Sequence, residues 1–165
     1  MDWLTAWFLW FANSFGLPAI FVASAIASAT IVIPTPFNAV VFIIAPFYDP
    51  FVLTLVTAIG TTLGELSAYA LGMGGEAALT RFKKKSQKEI DKIKNVFEKY
   101  GFWAVVIFAL TPLPLDVVGV LAGMTRYNIK KFFVGTFIGK LGQYAIIVYG
   151  GYYGLPIVMQ AFGLS

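Results

Sequence analysis

Apolar residues fall in long blocks along this chain, and the polar residues that interrupt them fall at matching places in its two halves. Residues 3–15 form a first block rich in Trp and Phe, too short at 1.5 Å per residue to span a bilayer and suited to lying in its interface. Gly16-Leu17-Pro18 then ends one helix and opens another. Residues 17–47 carry no charge. As one straight helix they would be about 46 Å long, against a hydrocarbon core of roughly 30 Å, yet two full crossings need more residues. Pro34-Thr35-Pro36 offers the remaining option, because two prolines remove two amide donors and force the preceding residues out of helix. The block is expected to enter as far as residue 33, bend at Pro34 and Pro36, and return. Asp49-Pro50 marks the exit to water, and residues 51–72 read as one crossing helix.

Residues 74–99 are the strongly polar stretch. Ile90, Ile93, Val96, Phe97 and Tyr100 recur there at helical spacing among lysines, as in an amphipathic helix on a membrane surface. A soluble linker helix is the other reading. Tyr100-Gly101 opens the next apolar block as Phe15-Gly16 opened the first. Residues 102–124 again carry a proline bend, at Pro112 and Pro114. Their length permits a single crossing, but the charges argue for a turn. A crossing would put Arg126, Lys130 and Lys131 opposite the Lys-rich linker; a return puts them all on one side, as the positive-inside rule requires. Residues 129–149 read as the second crossing helix and 150–165 as a short interfacial tail.

The two halves share a sentence. Pro34-Thr35-Pro36-Phe37-Asn38 precedes Gly60-Thr61-Thr62-Leu63-Gly64-Glu65-Leu66-Ser67-Ala68-Tyr69-Ala70, and Pro112-Leu113-Pro114-Leu115-Asp116 precedes Gly135-Thr136-Phe137-Ile138-Gly139-Lys140-Leu141-Gly142-Gln143-Tyr144-Ala145. The expected fold is an all-α polytopic membrane protein, one membrane domain built as an inverted repeat of residues 1–75 and 76–165. Each half holds an interfacial helix (76–100 in the second), a re-entrant helical hairpin and one transmembrane helix. One crossing per repeat inverts the second half, so the hairpins dip from opposite faces and their tips meet near the midplane. Broken helices build substrate sites in that way in secondary transporters.

Composition supports this reading and removes several chemistries. Hydrophobic residues make up 59% and charged residues 12%, about half the charged share of a soluble domain. Without Cys there are no disulfides or thiol nucleophiles, and without His there are no His-based metal sites or Ser-His-Asp triads. No nucleophile–base pair is visible, so an enzyme is not expected; nor is a cofactor or a metal. Of the 12 Lys and Arg residues all but Lys140 lie in the linker or the 126–131 cluster, a distribution that suits a cytoplasmic membrane face better than nucleic acid. The expected location is therefore the cell membrane, multi-pass, with the linker and the Arg126/Lys130/Lys131 loop cytoplasmic. Met1-Asp2-Trp3 lacks a positive n-region, so a cleaved signal peptide is not expected. Gly72-Met73-Gly74-Gly75 is no phosphate loop, since no G-K-[S/T] follows.

Glu65 and Lys140 occupy matched positions inside the crossing helices. A charge in hydrocarbon faces a partner, water or the protein interior, so the two are expected to pair across the repeat axis. Such a pair either only locks the repeats together or opens when a phosphate or a proton competes for it. Asn38 and Asp116 follow the two bends; they cap the returning arms or, with Thr35 and Thr111 and the open helix ends, line a wet cavity. Asp116 is also a candidate proton carrier. Tyr69 and Tyr144 are matched, either packing at the interface or aiming hydroxyls at the centre. The glycines of the crossing helices read as packing sites, and Trp3, Trp7, Trp10 and Trp103 as interface anchors.

Thr111-Pro112-Leu113-Pro114, Ala122-Gly123-Met124 and Lys131-Phe132-Phe133-Val134-Gly135-Thr136-Phe137-Ile138-Gly139 resemble the DedA/VTT superfamily, the "SNARE-associated Golgi protein" group. Gly60-Thr61-Thr62-Leu63-Gly64 with Tyr69 and Leu71-Gly72 adds to the resemblance, which covers residues 16–151. It implies a lipid transporter with two opposed re-entrant hairpins: undecaprenyl-phosphate recycling or other lipid flipping in bacterial members, phospholipid scrambling in eukaryotic ones. The bacterial pattern places arginines beside the second-hairpin proline, where this chain has Ala109 and Leu115. It places acids in the first hairpin, where this chain has Asn38. Their Arg-phosphate, acid-driven mechanism therefore does not transfer, and the second half looks closer to the eukaryotic-type scramblases and to uncharacterised archaeal or bacterial homologues. The expected function is transbilayer movement of phospholipids or lipid-linked phosphates without ATP hydrolysis, downhill or ion-coupled, with membrane lipids as partners, no nucleic acid, and a homodimer compatible with the composition. The alternatives are a secondary exporter of small amphiphilic or cationic molecules and a non-transporting membrane scaffold.

Overall fold

The computed structural model describes residues 2–29, 37–74, 87–111 and 116–161. Regular structure among them is entirely helical: α1 (Asp2–Ala29), α2 (Phe37–Ile44) continued by a 3-10 turn (Ala45–Phe47), α3 (Pro50–Met73), α4 (Gln87–Leu110), α5 (Asp116–Met124) and α6 (Ile129–Ala161). Among the described residues two stretches, α3 and Ile129–Gly154 of α6, are long and apolar enough to cross a membrane.

Local chemistry sets several of these boundaries. α3 opens on Asp49, whose Oδ1 accepts the Val52 N–H at 2.9 Å, with Pro50 in the first turn where no amide is needed. α6 opens on Asn128, whose Oδ1 accepts the N–H groups of Lys130 and Lys131 at 3.0 and 3.1 Å. α5 closes in a Schellman turn: Tyr127 N–H donates to Ala122 O at 2.8 Å and Arg126 N–H to Gly123 O at 3.0 Å. Arg126 takes the left-handed conformation there, at φ 52.

The expected break at Gly16 is present, with φ 61 and ψ −145, a conformation in which a Cβ is strained. Its counterpart is absent. α4 runs from Gln87 through Tyr100 and Gly101 to Leu110 in one piece, so the linker helix expected to end at residue 100 continues into the apolar block. A lone glycine only weakens a helix; without an adjacent proline it does not stop one. Likewise α6 does not stop near residue 149 but continues through Gly150 and Gly151 to Ala161, in place of a separate tail.

α3 and α6 lie antiparallel. The rings of Tyr69 and Phe132 meet at 5.2 Å near one end, and Leu53 shares an apolar cluster with Tyr144 and Val148 toward the other. Asp49 and Tyr127 thus sit at opposite ends of α3, separated by about 30 Å of helix rise. The shorter helices pack in an exchange pattern. α1 runs alongside α3, where Gly60 abuts Phe21 and Ser24, and Gly64 abuts Ala25 and Ser28. α4 runs alongside α6, where Gly135 abuts Phe102 and Val105, and Gly139 abuts Val106 and Ala109. The following short helices cross over: α2 packs on α6 through Phe42, Ala45 and Gly151, and α5 on α3 through Gly119, Val120 and Gly123.

The distribution of polarity is inverted relative to a water-soluble fold. Ser24, Thr57, Thr61, Thr62, Glu65, Thr136, Lys140 and Gln143 are buried, while Ile26, Trp103, Ile107, Ile138, Ile146 and Ile157 stand exposed on the outside.

Candidate functional site

Glu65 lies two-thirds of the way along α3, and Lys140 near the middle of the apolar part of α6. The exchange packing brings them together: Lys140 Nζ is 3.4 Å from Glu65 Oε1, both side chains nearly fully enclosed. Glu65 Oε1 also accepts the Ser28 hydroxyl of α1 at 3.1 Å. Three helices therefore converge on one carboxylate oxygen. Breaking such a pair from one side leaves a buried charge, at a cost of about 3–5 kcal/mol.

One turn beyond Lys140, the Tyr144 hydroxyl donates to Asn38 Oδ1 of α2 at 3.2 Å and meets the Thr61 side chain of α3. On the same face, Gln143 Nε2 donates to the Thr111 carbonyl at the end of α4, at 3.3 Å. Thr111 turns its own hydroxyl back to Phe108 O at 2.9 Å. The expected site residues Asn38, Glu65, Thr111 and Lys140 are thus linked, directly or through neighbouring side chains, to one zone between α3 and α6. Asp116 is the first residue of α5. Thr35 and the bend residues Pro34, Pro36, Pro112 and Pro114 lie outside the described residues.

Ser28, Thr61 and Gln143 join this zone without having been singled out from the sequence. Ser24 and Ser28 stand one helical turn apart in a run of alanines, which marks a close-packed face carrying hydroxyls. Tyr69, the counterpart of Tyr144, aims elsewhere: its hydroxyl donates to the Tyr127 carbonyl at 2.6 Å, beyond the outer end of α5. At the ends of the molecule, burial raises the Tyr48 and Tyr127 hydroxyls above their ordinary value, so both stay protonated at neutral pH.

The sequence model of the VTT domain matches residues 33–153, which contain the buried pair, α2, α3, α4 and α5, and α6 as far as Tyr153. The chain belongs to the DedA/VTT family. This VTT-domain chain is 25% identical over 152 residues to undecaprenyl phosphate transporter A of Staphylococcus aureus, covering 85% of the chain and 75% of that protein. It is 24% identical over 130 residues to an uncharacterized protein of Methanocaldococcus jannaschii, with 76% of each covered. No solved structure matches it. Glu65 and Lys140 both lie within the matched residues.

Proposed function

We propose that this VTT-domain protein moves phosphate-bearing lipids between the leaflets of the cell membrane, without ATP hydrolysis. The observation that carries the reading is the Glu65–Lys140 pair, enclosed where α1, α3 and α6 meet inside a molecule whose outer surface is apolar. A buried cation paired with a carboxylate is a receptor for phosphate oxygens, because it can exchange one oxygen partner for another. The Staphylococcus aureus relative, an undecaprenyl phosphate transporter by name, supports a lipid-linked phosphate as cargo.

In this reading the chain is a multi-pass inverted repeat, with α3 and α6 crossing the bilayer. The α1–α2 segment enters and leaves at the Asp49 end, and the α4–α5 segment at the Arg126 end. The exchange packing supports the repeat, since swapping the halves maps α1 on α3 to α4 on α6, and α2 on α6 to α5 on α3. The exposed Arg126, Lys130 and Lys131 support a cytoplasmic position for the second end. Asn38 and Thr111 stand beside the path at helix ends, and Asp116 is the proton carrier if movement is ion-coupled.

The test is reconstitution into liposomes carrying a trace of leaflet-reported fluorescent phospholipid. Bleaching by an impermeant reductant should exceed the half expected for protein-free vesicles, and Lys140→Met should abolish the excess. Bleaching equal to the protein-free control would overturn the reading, and uptake of a dye cation in its place would identify an exporter.

A further inference from the structure

We propose that the outer surface of the α3–α6 seam, at its Arg126 end, is a seat for one anionic phospholipid that stays bound, with its phosphodiester at Lys130 and an acyl chain in the groove beside it. The proposal rests on α3 and α6 crossing the bilayer, and not on what the buried pair carries. A groove of about 380 Å³ lies between the two long helices, lined by Leu66 of α3 and by Ile129, Lys130, Phe133 and Val134 of α6. That volume is within the range of ligand sites, about 300–1,000 Å³. Lys130 is the one polar residue in the lining. It stands one helical turn before Phe133 and Val134 on the same face, where α6 begins. Leu66 and Phe133 are half-buried, whereas Ile129 and Val134 are 49% and 45% exposed. One turn deeper, Ile138 on α6 and Leu63 on α3 are exposed as well. Apolar surface therefore continues for about 12 Å of helix rise below residue 130. A cation above a hydrocarbon track is complementary to an amphiphile with an anionic head.

Charge complementarity selects the occupant. Arg126, Lys130 and Lys131 are exposed and take part in no ion pair among the described residues. The sequence from residue 117 onward contains no Asp or Glu, so α6 offers these cations no acid of its own. The open end of α6 is not the receptor. The N–H groups of Lys130 and Lys131 already donate to Asn128 Oδ1, which leaves recognition to the side-chain charges. Basic pockets between membrane helices take anionic head groups in this way. A soluble phosphate would satisfy the charge and leave the apolar lining bare. A zwitterionic lipid would bring an ammonium into the field of three cations. A second copy of this chain docked through the same patch would set three cations against three, because a two-fold contact is self-facing. A phosphodiester lipid without an ammonium meets both the groove and the charge. Seated there, it touches α3 through Leu66 and α6 through Phe133, so its binding stabilises the folded state by mass action.

The experiment follows thermal unfolding of the full chain in detergent during titration with phosphatidylglycerol, phosphatidylcholine or soluble glycerol phosphate. Phosphatidylglycerol should stabilise at concentrations roughly tenfold lower than phosphatidylcholine, and glycerol phosphate should have no effect. Lys130→Gln should weaken the phosphatidylglycerol response about fivefold, the share of one surface cation, and Lys130→Arg should keep it. Val134→Trp, a change at an exposed position that fills the groove, should weaken it without altering unfolding in the absence of lipid. Equal stabilisation by phosphatidylcholine, an unchanged response in Lys130→Gln or Val134→Trp, or equal stabilisation by glycerol phosphate overturns the proposal; the last would identify a site for free anions. A dimer in size-exclusion chromatography that Val134→Trp splits and phosphatidylglycerol does not affect would name a second copy as the occupant, and overturns it too. The readout is binding, so a protein that moves no lipid in liposomes still decides the seat, and loss of the seat leaves the transport reading standing.

Discussion

The halves on either side of the basic linker carry the same polar sentence and tie it off differently. In the first, the inner end of the short helix α2 is held, through Asn38 to Tyr144 of the opposite long helix. In the second, the chain beyond the outer end of α5 is held, through the Tyr127 carbonyl to Tyr69. The entries differ as well: the chain turns sharply at Gly16 and passes straight through Gly101. Repetition therefore fixes where a tyrosine stands on each long helix, while the neighbouring chain decides what it grips. The first arm is fastened at the centre of the molecule and the second at its rim. The same divergence put a carboxylate in one half and an ammonium in the other, which is why the middle holds a pair instead of two like charges.

The comparison breaks most severely at that pair. Glu65→Ala or Lys140→Ala should each destabilise by about 3–5 kcal/mol, read as thermal unfolding in detergent. The double mutant Glu65→Gln, Lys140→Met should recover more than about 1 kcal/mol relative to the sum of its single mutants; additive losses would show that the two charges do not couple. Next come the glycine contacts that seat α1 and α4. A Cβ at Gly64 would meet Ser28 Cβ at 2.7 Å, and one at Gly139 would meet Val106 O at 2.5 Å. Gly64→Ala and Gly139→Ala should therefore cost similar amounts, about 1–3 kcal/mol each, and a loss confined to one would mean that only one half depends on close approach.

The entry bend gives a comparable but one-sided effect. Gly16→Ala should cost about 1–3 kcal/mol for its backbone alone, since nothing lies near its Cβ position. Gly154→Ala, in open space within helix α6, should stabilise by about 0.5–1 kcal/mol. The smallest effects belong to the tyrosine ties, about 0.6 kcal/mol for each hydroxyl removed. Their locations should still separate: by hydrogen exchange, Tyr144→Phe loosens the start of α2 and Tyr69→Phe the turn at Tyr127. Loosening at the same place in both variants would erase the distinction between the halves.

Much of the fold was legible because its signals are local. Asp49-Pro50 announces a helix start through capping chemistry, and Gly16 beside Pro18 announces a bend through backbone sterics. The meeting of Glu65 and Lys140 was legible for a different reason, since two opposite charges at matched places in otherwise apolar segments need partners, and the structure places them in contact. What could not be read were events decided by packing. Gly101 resembles Gly16 as a letter, but the propensity loss of one glycine is less than the contacts that α4 makes along α6, so the helix continues. Gly150 and Gly151 looked like a terminus and instead give Phe42 of α2 room to approach. Ser28 and Gln143 carried no charge or motif to mark them, and their roles arise only when α1 and α4 are laid beside the long helices.

α3 carries a ladder of side-chain hydroxyls bonded to its own preceding turns: Thr54 to Pro50 O, Thr57 to Leu53 O, Thr61 to Thr57 O and Thr62 to Ala58 O, all at 2.6–2.7 Å. Such bonds compete with the amides for the same carbonyls, which softens a helix against bending. The helix that anchors the carboxylate is thus one whose buried face carries bend-permitting hydroxyls. It can bend at its hydroxyl-bearing face while each of these protons stays occupied, so curvature there costs none of these bonds.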